Sequence, residues 1–263
     1  MGTIPTLFVS HGSPMTAVEP GLAGPAWSKL AATLPRPRAV LIASAHYETD
    51  VPMLTAHAKP HTIHDFHGFP DPLYALRYPA PGEPAIAAQA AALLRQAGLA
   101  AGLDGTRGLD HGAWVPLRYM YPAADVPVVE LSVQPSRGAA HHLAVGRALA
   151  PLADDGVLVI GSGHATHNLH DWQAQRRSSG ALPYVAEFAD WLADRLVAND
   201  EDALSHWRER GPHASRAHPS DEHLMPLFVA FGAAGPGAHV DRVHRDIVQG
   251  ALAMDAYRFG AAA

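Results

Sequence analysis

Histidine is unusually frequent in this sequence, with 18 residues against 19 lysines and arginines. Two of the histidines follow short apolar runs that resemble buried strands: His11 follows residues 4–10, and His46 follows residues 38–45. Ligands of open parallel sheets bind outside the carboxyl ends of the strands, and imidazole is the commonest protein ligand of metal ions. The pair therefore predicts a shared cation at one edge of a sheet. The alternative is that each histidine only caps its strand with a hydrogen bond.

Three further segments place histidines beside turn signals. The glycine-rich turn GSGHATHNL carries His164 and His167 after another apolar run. His111 stands at the head of an apolar helix in GLDHGAWVPL, and His223 stands in a predicted first helical turn in HPSDEHLMPL. Each segment also has a plain structural interpretation, as a glycine turn, a helix-entry turn or a solvated helix terminus. A phosphate-binding loop is disfavoured because GSGHATHNL lacks the Gly-Lys-Ser/Thr of a P-loop and the spacing of a dinucleotide fingerprint.

The elements that must position these histidines follow an alternating pattern. Short apolar runs bounded by Pro or Gly are typical of parallel strands buried on both faces, and they occur at residues 4–10, 38–45, 126–133 and 157–161. Helical stretches are predicted at residues 84–97, 139–152, 183–198 and 221–234. The alternation indicates an α/β fold with a central, mostly parallel sheet flanked by helices and an active site at the carboxyl ends of the strands.

Two segments fall outside this alternation. Residues 51–78 are rich in Pro, His and Asp and predict a long irregular loop, which in compact domains is usually functional. Residues 247–259 predict a last edge strand or hairpin. Composition shifts that would mark a domain boundary are absent, so we expect one catalytic domain over residues 1–263.

Composition excludes several classes of protein. Hydrophobic residues make up 48% of the 263 residues and charged residues 17%, which favours a globular chain with a large core. The net charge is -6 without a basic block, so we expect neither nucleic acid nor a membrane surface as a partner. There are no cysteines, which excludes thiolate metal sites and thiol nucleophiles. We expect a cytoplasmic protein without a signal peptide; a homo-oligomer stays open.

Seven motifs in order carry a resemblance to a known family. They are FVSHGSPM, SAHYET, HDFHGFPDPLY, GLDHGAWVPL, ELSVQP, GSGHATHNL and HPSDEHLMPL, and the tail MDAYRFG fits as well. In this order they resemble the class III extradiol ring-cleaving dioxygenases, in particular the 4,5-DOPA dioxygenase branch of the protocatechuate 4,5-dioxygenase superfamily. The resemblance implies an α/β oxidoreductase that opens a catechol ring with O2 and a mononuclear non-haem metal.

The resemblance also implies a set of metal ligands. His11 and His46 match the first two ligands. The third ligand is a glutamate in the protocatechuate-type relatives and a histidine in the DOPA-type branch, where His223 matches it. Because Glu222 lies beside His223, a carboxylate that assists or replaces the imidazole stays open. Fe(II) is expected for activity, and Zn(II) is able to occupy the same site.

Further site roles come from the same resemblance. His167 matches the general acid–base residue, and His111 matches a second pocket histidine that contacts substrate or oxygen. His164 matches no defined role. Phe66, Phe69 and Tyr74 on the long loop form either an apolar lid or a plain packed loop. Expected substrate contacts are Phe69, Tyr74 and Gln134.

Two other functions compete with ring cleavage. Three histidines and a water also form a catalytic zinc site, so a zinc-dependent hydrolase is the alternative. A non-catalytic binding protein that keeps the fold and loses the metal is the third hypothesis. The retained histidines disfavour this third hypothesis.

Overall fold

The apolar runs of the sequence form the middle of a mixed eight-stranded sheet in the computed structural model, which describes residues 4–175 and 180–260. The strands in the described residues are β1 (Thr6–Ser10), β2 (Ala39–Glu48), β3 (Met53–Thr55), β4 (Gly102–Asp104), β5 (Val128–Val133), β6 (Val157–Gly163), β7 (His239–His244), β8 (Ile247–Val248), β9 (Leu252–Ala253) and β10 (Ala256–Gly260). Their order in the large sheet is β4-β3-β5-β2-β6-β1-β10-β7, and β8 pairs with β9 in a separate hairpin.

Helices cover both faces of this sheet. Those in the described residues are α1 (Ala23–Ala32), α2 (Asp71–Ala75), α3 (Pro84–Gln96), α4 (His111–Met120), α5 (Gly138–Leu149), α6 (Leu169–Gln175), α7 (Pro183–Val197), α8 (Glu201–Ser205), α9 (Trp207–Arg210), α10 (Ala214–Ala217) and α11 (Met225–Ala234). None of them combines the length and the apolar character needed to span a bilayer. The α/β class with a mostly parallel sheet flanked by helices is confirmed, whereas the single domain stays a prediction.

Alternate side chains of the central strands pack into different hydrophobic cores on the two faces of the sheet. Val40 and Ile42 of β2 pack with Trp114 of α4, while Leu41 and Ala43 of the same strand pack with residues of α3, α5 and α11. Because successive side chains of a strand point to opposite faces, a strand covered on both faces must be apolar throughout. This explains the continuous apolar runs in the sequence.

The carboxyl ends of the parallel strands meet at one edge of the sheet. Strands β5, β2, β6 and β1 are parallel neighbours. Their register places Ser10 of β1 opposite Gly163 of β6, and Ser44 of β2 opposite Ser162 of β6. The residues that follow these positions, His11, His46 and His164, therefore emerge at the same level of the same edge.

Several predicted elements differ from the observed ones. Strand β2 continues through His46 to Glu48, because β5 pairs with it again after a register shift. The predicted helix over residues 221–234 begins only at Met225, so His223 lies in the turn before the helix rather than in its first turn. Of the edge strand or hairpin predicted for the tail, the hairpin is present as β8 and β9, whereas β10 lies inside the sheet between β1 and β7, and β7 forms the edge.

Candidate metal centre

Three histidines from distant parts of the chain converge at the carboxyl edge of the sheet. One ring nitrogen of each of His11, His46 and His223 lies within 4.8 Å of those of the other two. The Nε2 atoms of His11 and His46 are 3.1 Å apart. Two imidazole nitrogens bound to one ion at about 2.1 Å must lie about 3 Å from each other. The spacing therefore fits a shared metal ion.

The ring nitrogens that face away from this point have oxygen partners. Ser162 donates its hydroxyl hydrogen to the Gly112 carbonyl and so accepts from the Nδ1–H of His11, with Nδ1 and Oγ 3.1 Å apart. Glu222 Oε1 lies 2.8 Å from His223 Nδ1, and Asp65 Oδ2 lies 3.5 Å from His46 Nδ1. Outer partners of this kind fix the tautomer of metal-binding histidines. They leave the three Nε2 lone pairs for an ion, so the residues present fit the metal.

Glu222 was left open as a ligand by the sequence. The structure places its carboxylate behind His223, where it accepts the Nδ1–H of the imidazole. Its Oε1 also lies 3.9 Å from Nδ1 of His167. Glu222 thus occupies the position of an outer partner of His223.

The glycines of GSGHATHNL bring the third histidine to this edge. A Cβ on Gly163 would lie 2.1 Å from the His223 carbonyl oxygen, and a Cβ on Gly161 would lie 2.1 Å from that of Pro226. The backbone N–H of His164 donates to the His223 carbonyl at 2.8 Å. The glycines therefore admit the chain that carries His223, rather than a ligand.

The first ligand is held by the turn that follows β1. The backbone N–H of His11 donates to the Gly163 carbonyl at 3.0 Å. Gly12 has a φ of 74°, and a Cβ there would lie 2.4 Å from Thr16 Oγ1. Its N–H donates to Nε2 of His164 at 3.1 Å, which gives the previously unassigned His164 a structural role beside the ligand.

A buried ionic network supports His46 from behind. Arg107 donates to the His46 carbonyl at 3.2 Å and to Asp110 Oδ2 at 2.8 Å. Ser44, two residues before His46, donates to Asp110 Oδ1 at 2.7 Å. Asp110 also accepts from the backbone N–H of Ala113 and so caps α4. The same carboxylate therefore orients the end of β2 and the helix that begins with His111.

The electrostatics keep the three candidate ligands neutral. Burial, followed by repulsion from neighbouring histidines, lowers the pKa of His11 and of His223 well below the ordinary value. Burial is also the main cause that lowers the pKa of His46 to about 4. A metal binds the unprotonated imidazole. At neutral pH the site therefore does not need to lose protons before it takes up an ion.

The lowered pKa of His46 has a measurable consequence for the metal-free protein. In the unfolded chain His46 takes up a proton below the ordinary pKa of 6.5, whereas in the folded chain it stays neutral down to about pH 4. The unfolded state binds more protons in this window, so the free energy of unfolding falls as the pH falls. As the pH falls through this window, we expect the free energy of unfolding of the metal-free wild type to fall by about 1.4 kcal/mol per pH unit more than that of His46→Gln. Urea unfolding at several pH values measures this difference. The same pH dependence of the free energy of unfolding in both proteins would contradict the expectation.

A cavity of about 470 Å³ opens on the side of the three Nε2 atoms. Its wall includes the three candidate ligands and a second set of histidines, His111, His164 and His167. His167 stacks on His223 with ring centroids 3.4 Å apart and an interplanar angle of 13°. The apolar part of the wall is formed by Pro14, Ala45, Phe66, Phe69, Leu169, Trp172 and Leu252.

Two of the three expected substrate contacts lie elsewhere. Gln134 is 1% exposed, and its amide donates to Ser132 Oγ at 3.0 Å, away from the cavity. The phenol of Tyr74 accepts from the backbone N–H of Phe69 at 3.3 Å, and its ring packs on Phe66. Tyr74 therefore supports the loop from behind, and only Phe69 of the three lines the cavity.

Comparisons with known proteins agree with this site. A family profile described as "Catalytic LigB subunit of aromatic ring-opening dioxygenase" matches residues 5–253. The 4,5-DOPA dioxygenase extradiol of Portulaca grandiflora is 41% identical, covering 97% of this chain and 95% of the relative. The protein of the same name from Escherichia coli K12 is 37% identical, covering 98% and 95%.

A solved structure matches as well. The crystal structure of an uncharacterized protein from Escherichia coli K12 has a TM-score of 0.82 at 33% identity and covers 98% of this chain and 100% of its own. Family members use a mononuclear metal, for which the three-histidine site is suited. The chain belongs to the family of aromatic ring-opening dioxygenases whose catalytic subunit is LigB.

Proposed function

We propose that the chain is an extradiol dioxygenase that opens the ring of a DOPA-like catechol with O2, using Fe(II) held by His11, His46 and His223. One observation carries the proposal. Three neutral imidazoles present their Nε2 atoms to a single point that faces a cavity of about 470 Å³. A site with three protein ligands leaves coordination positions open for a substrate. Family membership disfavours the zinc hydrolase and the non-catalytic binding protein.

The bound iron supplies the redox chemistry that joins O2 to the aromatic ring. The residues of the chain perform the remaining tasks. They must bind the catechol, orient its two hydroxyl groups toward the ligands, exclude water and accept the hydroxyl protons. Iron is preferred in the proposal because the relatives are named as ring-cleaving dioxygenases, although zinc binds more tightly to such ligands in general.

His167 is placed to handle protons. It lies on the cavity wall, with its side chain 14% exposed, and its ring stacks on the candidate ligand His223. In the metal-free and substrate-free protein, burial, followed by repulsion from the neighbouring histidines, lowers its pKa to about 2 and keeps the ring neutral. An anionic catecholate beside the ring would favour its protonated form. A neutral imidazole beside the bound catechol accepts a hydroxyl proton and returns it later in the reaction.

The aromatic side chains of the loop enclose the substrate ring. Phe66 and Phe69 meet edge to face with centroids 5.3 Å apart, and both line the cavity. Phe66 also packs against His111 at 5.8 Å. An apolar wall at this place offers a face on which an aromatic ring packs and from which water is excluded.

The charge of the cavity wall bears on the substituent of the catechol. Glu48 and Glu222 belong to the wall, and of the described residues that line it none is a lysine or an arginine. Burial and repulsion by Glu222 raise the pKa of Glu48 above its ordinary value. A wall of this kind favours a substituent that carries an ammonium group over one that carries only a carboxylate.

We expect kcat/KM to be about 30-fold higher for dopamine than for 3,4-dihydroxyphenylacetate, because near a carboxylate the ammonium gains and the carboxylate loses about 1 kcal/mol each in water-like surroundings, about 2 kcal/mol in total. Glu48→Gln should reduce this ratio of the two kcat/KM values. Glu209→Gln, which changes an exposed carboxylate on α9, should leave the ratio unchanged. Steady-state kinetics of the three proteins with the two substrates test the expectation, and an equal or inverted ratio in wild type would refute it.

The activity itself is tested by anaerobic reconstitution. The protein is loaded with Fe(II) or with Zn(II), mixed with DOPA and other catechols, and then exposed to O2. The proposal expects a yellow ring-cleavage semialdehyde with Fe(II) and none with Zn(II). Absence of ring cleavage across the panel, or hydrolysis of an ester supported by Zn(II) alone, would overturn it.

A further inference from the structure

A single carboxylate on the long loop joins one candidate metal ligand to one non-ligand histidine of the cavity. Asp65 Oδ1 accepts the backbone N–H of His111 at 2.9 Å. Its Oδ2 lies 2.8 Å from Nδ1 of His111 and 3.5 Å from Nδ1 of His46. The side chain of Asp65 is only 21% exposed. One carboxylate oxygen therefore lies within hydrogen-bond distance of Nδ1 of His111 and within ion-pair distance of Nδ1 of His46.

The protonation of these groups follows from the contacts. Asp65 accepts the backbone N–H of His111 with Oδ1, and its Oδ2 faces Nδ1 of the same residue at 2.8 Å. An ionised carboxylate only accepts hydrogen bonds. Nδ1 of His111 must then carry the proton, and the lone pair is left on Nε2 of a ring that lines the cavity.

Hydrogen bonds and ring packing on both sides of Asp65 fix its position in the loop. Ile63, two residues earlier, donates its N–H to the Leu109 carbonyl at 2.7 Å and accepts from the indole N–H of Trp114 at 2.9 Å. Phe66, the next residue, packs against Trp114 with ring centroids 6.4 Å apart. The loop is therefore fastened to the start of α4 on both sides of Asp65.

We propose that Asp65 is the positioning residue that fixes His111 as the tautomer with its Nε2 lone pair toward the substrate and holds the His46 ring with Nε2 toward the metal. Asp65 acts through the two imidazoles and does not touch the substrate. The part that concerns His111 and turnover rests on the proposed function. The inferences about the tautomer of His111 and about the metal affinity do not depend on the proposed function.

The contacts make Asp65→Asn a sharp test. The backbone N–H of His111 can only donate, so the amide oxygen of the asparagine must take the place of Oδ1. The amide NH2 then faces Nδ1 of His111, which must become an acceptor and transfer its proton to Nε2. The same exchange in the Ser-His-Asp triad imposes the wrong tautomer and lowers kcat about 10⁴-fold.

Three measurements follow from this reversal. The ¹⁵N NMR spectrum of histidine-labelled, metal-free protein should show His111 protonated on Nδ1 in wild type and on Nε2 in Asp65→Asn. The Kd for Zn(II), measured by chelator competition, should rise about 10- to 100-fold because His46 loses its outer partner. In the Fe(II) enzyme, kcat should fall about 10²- to 10⁴-fold with little change in KM. Asp71→Asn changes an exposed carboxylate at the start of α2 and should alter none of these quantities.

Asp65→Glu is a second variant that keeps the test decisive if Asp65→Asn fails to fold. It keeps an acceptor-only carboxylate, so it should retain the Nδ1–H tautomer and recover part of kcat. Unchanged tautomer, Kd and kcat in Asp65→Asn would overturn the proposal. So would a second equivalent of Zn(II) that binds wild type and is lost in Asp65→Asn, since Asp65 would then be a metal ligand. If wild type cleaves no catechol, only the proposed function fails, and the tautomer and Kd still decide the role of Asp65.

Discussion

Replacing His46 with alanine is expected to remove the bound metal at ordinary concentrations and to abolish ring cleavage. If the three imidazoles share equally a binding free energy of about 10 kcal/mol, the loss of one weakens metal binding about 10²- to 10³-fold. The effect is direct, because Nε2 of His46 lies 3.1 Å from Nε2 of His11 at the point where the lone pairs converge.

The measurement combines metal analysis after gel filtration with initial rates of ring cleavage. His170→Ala is the matched control, because the side chain of His170 is 92% exposed and lies outside the cavity wall. It should keep full metal content and full turnover. A His46→Ala protein with wild-type metal content and wild-type turnover would show that the three-histidine site is not the catalytic one.

The second large effect is expected at His167. His167→Phe preserves the ring that stacks on His223 but removes both nitrogens. Metal content should stay at the wild-type level, whereas kcat should fall about 10²- to 10⁴-fold, the usual contribution of a positioned acid–base group. The two variants thus separate metal binding from proton handling.

Steady-state kinetics at several pH values, with metal content measured on the same samples, check the expectation for His167→Phe. If kcat stays within threefold of wild type at every pH, His167 does not take the catechol proton. If metal is lost together with activity, the stacked ring serves to hold His223, and the proton-handling role fails.

Local sequence patterns predict two of the three candidate metal ligands. Apolar runs before His11 and His46 indicate parallel strands, and the carboxyl ends of parallel strands share an edge. No local sequence pattern predicts that His223 lies at that edge, because its segment is typical of a helix terminus. Its place depends on Gly161 and Gly163, which allow the chain of residues 223–226 to approach β6 closely. Only the family resemblance connected it with the other two histidines.

The outer partners of the ligands could not be predicted from sequence. Asp65 lies in an irregular loop, and Ser162 lies between two glycines at the end of β6; neither occurs in a pattern typical of metal sites. Their roles depend on hydrogen-bond geometry between residues far apart in the chain, such as Ser162 with the Gly112 carbonyl. Gln134 and Tyr74 illustrate the same limit, because only the loop conformation shows that their side chains turn away from the cavity.

The most direct test of the central account follows the oxygen atoms. The Fe(II) enzyme is given DOPA under ¹⁸O2 in ordinary water, and the product is examined by mass spectrometry. A dioxygenase with its metal on His11, His46 and His223 incorporates both atoms of O2, and the label in the new carboxylate persists after the aldehyde oxygen has exchanged with water. His46→Ala should give no labelled product. A product whose new oxygen comes only from water, or equal labelling by His46→Ala, would contradict the account.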